Sequence, residues 1–160
     1  MGLPGSGKSY FAKHLSGSLN CDHISSDGTR KKMEAMGKYR WEDKMAVYRN
    51  MLQAAKTVLD QGRDLVLDAT FFKEGIRNDF IDLAKERSIP YAIFWIEAPL
   101  EIIKERLSKK REDSEADFFV YAKLEKDFET PRPPFLKLSS TQNNIEEMLD
   151  KAQDYLKKLL

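Results

Sequence analysis

The sequence predicts an α/β domain in three layers, a parallel sheet covered by helices on both faces. Three observations carry that expectation. Strand-like and helix-like segments alternate along the 160 residues. The run YAIFWIEA at 91–98 is almost wholly apolar, which suits a parallel strand covered on both sides. The chain also opens on a glycine-rich turn, GLPGSG, followed directly by the helical spacing of Phe11, Ala12 and Leu15.

Each element has its own signal. Lys8 to about Ser16 reads as the helix that the glycine turn opens. CDHISSD (21–27) is a short strand ending in polar residues. From Trp41 to Gln61, Met45, Tyr48, Leu52, Ala55 and Leu59 form a helical stripe, and Gly62 supplies the stop. DLVLDAT (64–70) is a buried strand closed by Asp68. Ile76, Phe80, Leu83, Ala84 and Arg87 mark a helix ended by Pro90, and the strand at 91–98 follows. Leu100, Ile103 and Leu107 mark another helix, and Ser114 is expected to cap one more that runs to about Glu129. PRPP (131–134) reads as a rigid extended link, FLKLSS (135–140) as a last strand, and Ile145 to Leu159 as a closing amphipathic helix. The pattern contains no internal repeat, and a single domain over 1–160 is expected.

Composition narrows the function. A formal charge of +1 excludes a strongly basic nucleic-acid coat while leaving room for a local basic groove. Cys21 is the only cysteine, so no internal disulfide forms, and a cytoplasmic location is expected. His14 and His23 have no partner at metal-ligand spacing. No apolar run reaches the roughly 20 residues of a membrane span, and no secretory leader is visible. Met1-Gly2 with Ser6 also fits an acylation pattern, but the glycine turn accounts for the same residues.

Gly2, Gly7, Lys8 and Ser9 fit G-x-x-x-x-G-K-[ST], the Walker A phosphate loop. Glycines let backbone N–H groups turn inward around phosphate oxygens, and the following helix N-terminus adds partial positive charge. Gly2, Pro4, Gly5, Ser6, Gly7, Lys8, Ser9 and Tyr10 are therefore the candidate ATP-binding set, with Ser9 a candidate Mg²⁺ ligand. Such a loop normally leaves a central strand, yet only Met1 precedes it. The expectation is that the numbering begins inside the gene product, or that the true start lies upstream.

Two further constellations sit at strand ends, where a parallel sheet faces its ligand crevice. SSDGTR places Asp27 just past one strand, as a base for a substrate hydroxyl, with Arg30 three residues on to hold the acceptor or a phosphate on it. LVLDATFFKEGIR places Asp68 at another strand end, as a Mg²⁺-supporting acid or an orienter of Arg30 or the acceptor. Thr70 and Arg77 are candidate substrate contacts beside it. Arg106 and Arg111 flank a charged turn, a candidate lid over about 106–116 that neutralises the transferring phosphoryl group.

Together, GLPGSGKS, SSDGTR, LVLDAT…IR and RLSKKREDSEAD resemble the P-loop kinases grouped with the polynucleotide 5′-hydroxyl kinases, particularly small bacterial AAA-type ATP-binding domains of that group. Zeta toxins and gluconate kinases are more distant relatives. The resemblance covers Gly2 to about Pro131. It implies a P-loop NTPase fold with strand order 2-3-1-4-5, strand 1 being the one apparently absent. It further implies ATP and Mg²⁺ as cofactors, Lys8 and Ser9 on phosphate and metal, Asp27 as general base, Arg30 on the acceptor, Asp68 as the second acid, and Arg111, with Arg106 as its neighbour on the nucleotide, in transition-state stabilisation.

The implied function is transfer of the γ-phosphoryl group to a hydroxyl, on either a 5′-OH nucleic-acid end or a small sugar or nucleoside. TRKKMEAMGKYRW (29–41) carries five basic residues interleaved with Tyr39 and Trp41, a pattern suited to a strand end or to a solvated helix face. Two alternatives stand beside the kinase: a nucleotide-binding ATPase module without a dedicated acceptor, and a zeta-toxin-like sugar-nucleotide kinase. Neither the acceptor nor the oligomeric state is encoded in a recognisable motif.

Overall fold

The computed structural model describes residues 1–109 and 117–159. The alternation seen in the sequence is realised as α1 (Lys8–Leu19), β1 (Asp22–Ser25), α2 (Ser26–Lys32), α3 (Trp41–Asp60), β2 (Leu65–Asp68), α4 (Glu74–Glu86), β3 (Phe94–Glu97), α5 (Leu100–Ser108), α6 (Phe118–Asp127), β4 (Leu136–Ser139) and α7 (Ile145–Leu159). The third strand is shorter than its apolar run, because Tyr91, Ala92 and Ile93 lie outside the ladder. The cap of α6 is Asp117, whose carboxylate accepts the Val120 amide at 2.9 Å, and not Ser114, which lies outside the described residues. Among the described residues no helix is long and apolar enough to cross a membrane.

The strands pair in two parallel couples. β1 lies beside β2 in the register Asp22↔Leu65 to Ser25↔Asp68, and β3 beside β4 from Phe94↔Leu136 to Glu97↔Ser139. Met1 and Gly2 stand between the couples. The Met1 amine donates to the Phe94 carbonyl at 2.8 Å, the Met1 carbonyl accepts the Ile96 amide at 2.9 Å, and the Gly2 amide reaches the Thr70 carbonyl at 3.4 Å. Met1 and Gly2 thus bridge the two couples by main-chain bonds, in the place that the resemblance assigns to the strand before the loop. An apolar cleft of about 640 Å³ runs between the halves below them, walled by Phe11, Leu15, Val66, Leu67, Phe94 and Ile96.

Two apolar clusters clothe the strands. Phe11 and Leu15 of α1 pack with Ile96, Leu138 and, from α7, Met148 and Ala152. Val47 and Met51 of α3 pack with Ala69, Phe71, Phe72, Ile76 and Leu124. Each large side chain so buried contributes about 1.5–3 kcal/mol. The second cluster lies directly beneath the segment that follows β2, so the core fixes the strand end at which Asp68 and Thr70 emerge.

Candidate active site

The glycine turn becomes a loop because its backbone adopts conformations that side chains resist. Gly5 and Gly7 have φ of 78° and 88°, and Gly7 forms the left-handed N-cap of α1. A Cβ at Gly7 would stand 2.6 Å from Ser140 Oγ and 3.0 Å from Arg106 Nη1. Arg106 locks this packing. Its Nη1 donates to the Gly5 carbonyl at 3.2 Å, and its Nη2 to Ser140 Oγ at 3.1 Å and the Thr141 carbonyl at 2.9 Å. Ser6 is buried inside the turn, with its hydroxyl oxygen lacking a hydrogen-bond partner.

Strand ends bring the acids to this loop. Ser25 caps α2 by accepting the Gly28 amide at 3.0 Å, which sets Asp27 in the first turn of α2, just beyond β1. Asp68 closes β2 and is only 3% exposed. Burial pushes its carboxyl pKa up, but His23, Lys8, the Ser9 hydroxyl and the Met1 amine outweigh burial and hold it below the usual carboxylate range. Its Oδ2 lies 3.8 Å from His23 Nε2, while its Oδ1 is buried without a hydrogen-bond partner among the described residues. A carboxylate oxygen left unsatisfied beside a serine hydroxyl is a hard-oxygen donor set that fits Mg²⁺.

A cavity of about 260 Å³ opens at these strand ends. It gathers seven of the residues that the sequence singles out: Pro4, Gly5, Lys8 and Ser9 from the loop, Asp27 and Arg30 from α2, and Thr70 after β2. Of the five basic residues at 29–41, only Arg30 lines it; Lys31, Lys32, Lys38 and Arg40 are exposed. Tyr39 also borders the cavity, whereas Trp41 packs edge-on against Phe72.

Other candidates lie elsewhere. Arg77 is a correction: it is 6% exposed, and its guanidinium turns inward to the Phe71 carbonyl at 2.8 Å and the Thr130 carbonyl at 3.4 Å, fixing the segment after β2 and not lining the cavity. Arg106 sits within α5, not in a turn, and reaches the loop from behind. Tyr10 is 59% exposed and lies against the His14 ring. Gly2 lies in the sheet position described above. Arg111 and most of the expected lid fall outside the described residues.

Sequence reasoning did not single out the remaining residues of the cavity wall as site residues, several of them polar or aromatic. Lys44 and Tyr48 of α3 and Phe119 and Lys123 of α6 face it together with Arg30. The Tyr48 hydroxyl accepts the Phe71 amide at 3.0 Å, and burial raises its pKa. No local motif marks these positions; helix periodicity assigned Tyr48 to a core stripe.

Two alanine substitutions separate loop geometry from helix propensity. Gly7→Ala combines left-handed strain with the Ser140 clash and should cost about 1–3 kcal/mol while weakening nucleotide binding. Gly17 lies inside α1 with open space around it, so Gly17→Ala should stabilise by about 0.5–1 kcal/mol. Chemical denaturation with parallel nucleotide titration reads both; equal effects would remove the special role of the Gly7 conformation.

A family model described as an AAA domain matches residues 1–131. Among solved structures, the chain is similar to the Mycobacterium tuberculosis APS kinase CysC in complex with AMPPNP and APS, at 20% identity and TM-score 0.75, covering 98% of this chain and 94% of that one. It is also similar to a gluconokinase from Sinorhizobium meliloti 1021, at 19% identity and TM-score 0.71, covering 99% and 90%. Chaetomium thermophilum Kti12 in complex with ADP-AlF3 gives 20% identity and TM-score 0.72, covering 96% and 95%. These likenesses establish an α/β fold of the P-loop kinase type, and with most of its length matched the chain belongs to the AAA domain family.

Proposed function

We propose that the protein is an ATP-dependent kinase that transfers the γ-phosphoryl group to a hydroxyl of a small acceptor. The observation that carries this reading is the shared cavity, where the phosphate loop residues Lys8 and Ser9 face Asp27 and Arg30. Loop amides and Lys8 hold the triphosphate. The acceptor hydroxyl attacks the γ-phosphorus, its proton passes to the Asp27 carboxylate, and the bond to the bridging oxygen breaks to release ADP. Thr70 lies where its hydroxyl can orient the acceptor. Ser9 and Asp68 would hold Mg²⁺, which supplies charge neutralisation on the phosphates. Arg111 is assigned to the transferring phosphoryl group, and Arg106 to holding the loop that cradles it.

The similarity to a gluconokinase and to an APS kinase bound to AMPPNP and APS supports a small acceptor. So does the cavity itself, which only Arg30 of the five basic residues at 29–41 lines. A second reading, ATP hydrolysis without an acceptor, draws on the similarity to Kti12 in complex with ADP-AlF3.

Incubation with γ-labelled ATP and a panel of sugars, nucleosides and 5′-hydroxyl oligonucleotides decides between these readings. Label should move to a small alcohol, and Asp27→Ala should reduce transfer about 10²–10⁴-fold. Release of label as inorganic phosphate alone, at a rate indifferent to Asp27→Ala, would replace the kinase with the ATPase.

A further inference from the structure

We infer that the acceptor carries an anionic group (phosphate, sulfate or carboxylate) held by Arg30, Lys44 and Lys123 on the wall of the cavity. This rests on the kinase reading and narrows its substrate class. Three cations from three separate elements, α2, α3 and α6, line a cavity of about 260 Å³. Among the described residues, these are the cationic side chains of the cavity wall besides Lys8, which the triphosphate engages, and the carboxylate that lines it is that of Asp27. With Lys8 assigned to ATP and Asp27 to the hydroxyl proton, three positive charges are left facing the acceptor.

Arg30 is the strongest member. It is only 7% exposed. Its Nη1 donates to the Lys38 carbonyl at 2.9 Å and its guanidinium carbon lies 4.6 Å from the centre of the Tyr39 ring, which fixes its orientation. Its Nε is buried with no hydrogen-bond partner among the described residues. An anion against this guanidinium supplies charge-assisted hydrogen bonds that the buried group otherwise lacks. Lys44 is held similarly, its ammonium 5.3 Å from the Phe72 ring centre. Burial, followed by repulsion from Lys123, lowers its pKa; Asp127 opposes this and Arg30 adds to it. Lys44 thus lies close enough to Lys123 and to Arg30 to be repelled by both. A neutral sugar hydroxyl can accept a hydrogen bond from Arg30 but brings no charge to offset the repulsion.

The test reads anion binding apart from turnover. Protein loaded with a non-hydrolysable ATP analogue, so that the phosphate loop is filled, is titrated with sodium sulfate against sodium chloride at matched ionic strength, following thermal unfolding. Sulfate should raise the unfolding temperature in a saturable way. Its apparent Kd should increase about tenfold for each of Lys44→Met and Lys123→Met, the loss expected for one charge-assisted contact. Lys44→Arg should restore most of the affinity. A sulfate effect no larger than that of chloride, or one unchanged in the double variant, overturns the inference while leaving the kinase reading to the label-transfer experiment. In transfer assays on wild-type protein, glycerol 3-phosphate against glycerol and gluconate against glucitol should each favour the anionic member by lower KM, and their ranking separates phosphate from carboxylate. Preference for the neutral members would also overturn it.

Discussion

The site depends on a main-chain turn held open from behind. Arg106 ties the Gly5 carbonyl to Ser140 and Thr141 at the end of β4, and Gly2 and Met1 tie the other side of the turn to Thr70 and to β3. Between those anchors Gly5 and Gly7 take left-handed conformations that a Cβ would resist. Remove either anchor and the amides lose the fixed arrangement that a phosphate requires. Because the anchors come from both halves of the sheet, the geometry of the loop and the integrity of the sheet are one property.

Around that turn the fold separates charges by task. Asp68 is buried and ionised through Lys8, Ser9, His23 and the amine, which suits support of a cation. Asp27 stands in the first turn of a short helix and lines the cavity with Lys8 and Arg30. Two carboxylates at neighbouring strand ends therefore occupy different environments. The parallel register that aligns Ser25 with Asp68 is what sets them side by side.

Much of this was legible in the chain because local chemistry encodes it. The spacing of Gly2, Gly7, Lys8 and Ser9 dictates a loop before a helix, and the polar residues ending 21–27 and 64–70 mark the sheet edge that carries Asp27 and Asp68. Arg77 was misread because nothing local distinguishes a surface arginine from one that turns inward to two carbonyls. The cap of α6 was expected at Ser114, but the helix opens at Phe118, which puts Asp117, an equally competent capping residue, at the N-cap. Lys44 and Lys123 were invisible for a different reason. They lie far apart in sequence, and only the packing of α3 and α6 around one cavity brings them to Arg30. Arg106 was placed near the nucleotide by the resemblance; its bonds to Gly5, Ser140 and Thr141 could come only from the fold.

Calorimetric titration of the folded chain with ATP tests the central claim, that this anchored turn is a phosphate cradle, most directly. The account requires saturable binding at a single site, with affinity falling steeply when Lys8 is replaced by alanine. A folded preparation that releases no binding heat with ATP across a range of temperatures, or that binds equally well without the Lys8 ammonium, would contradict it.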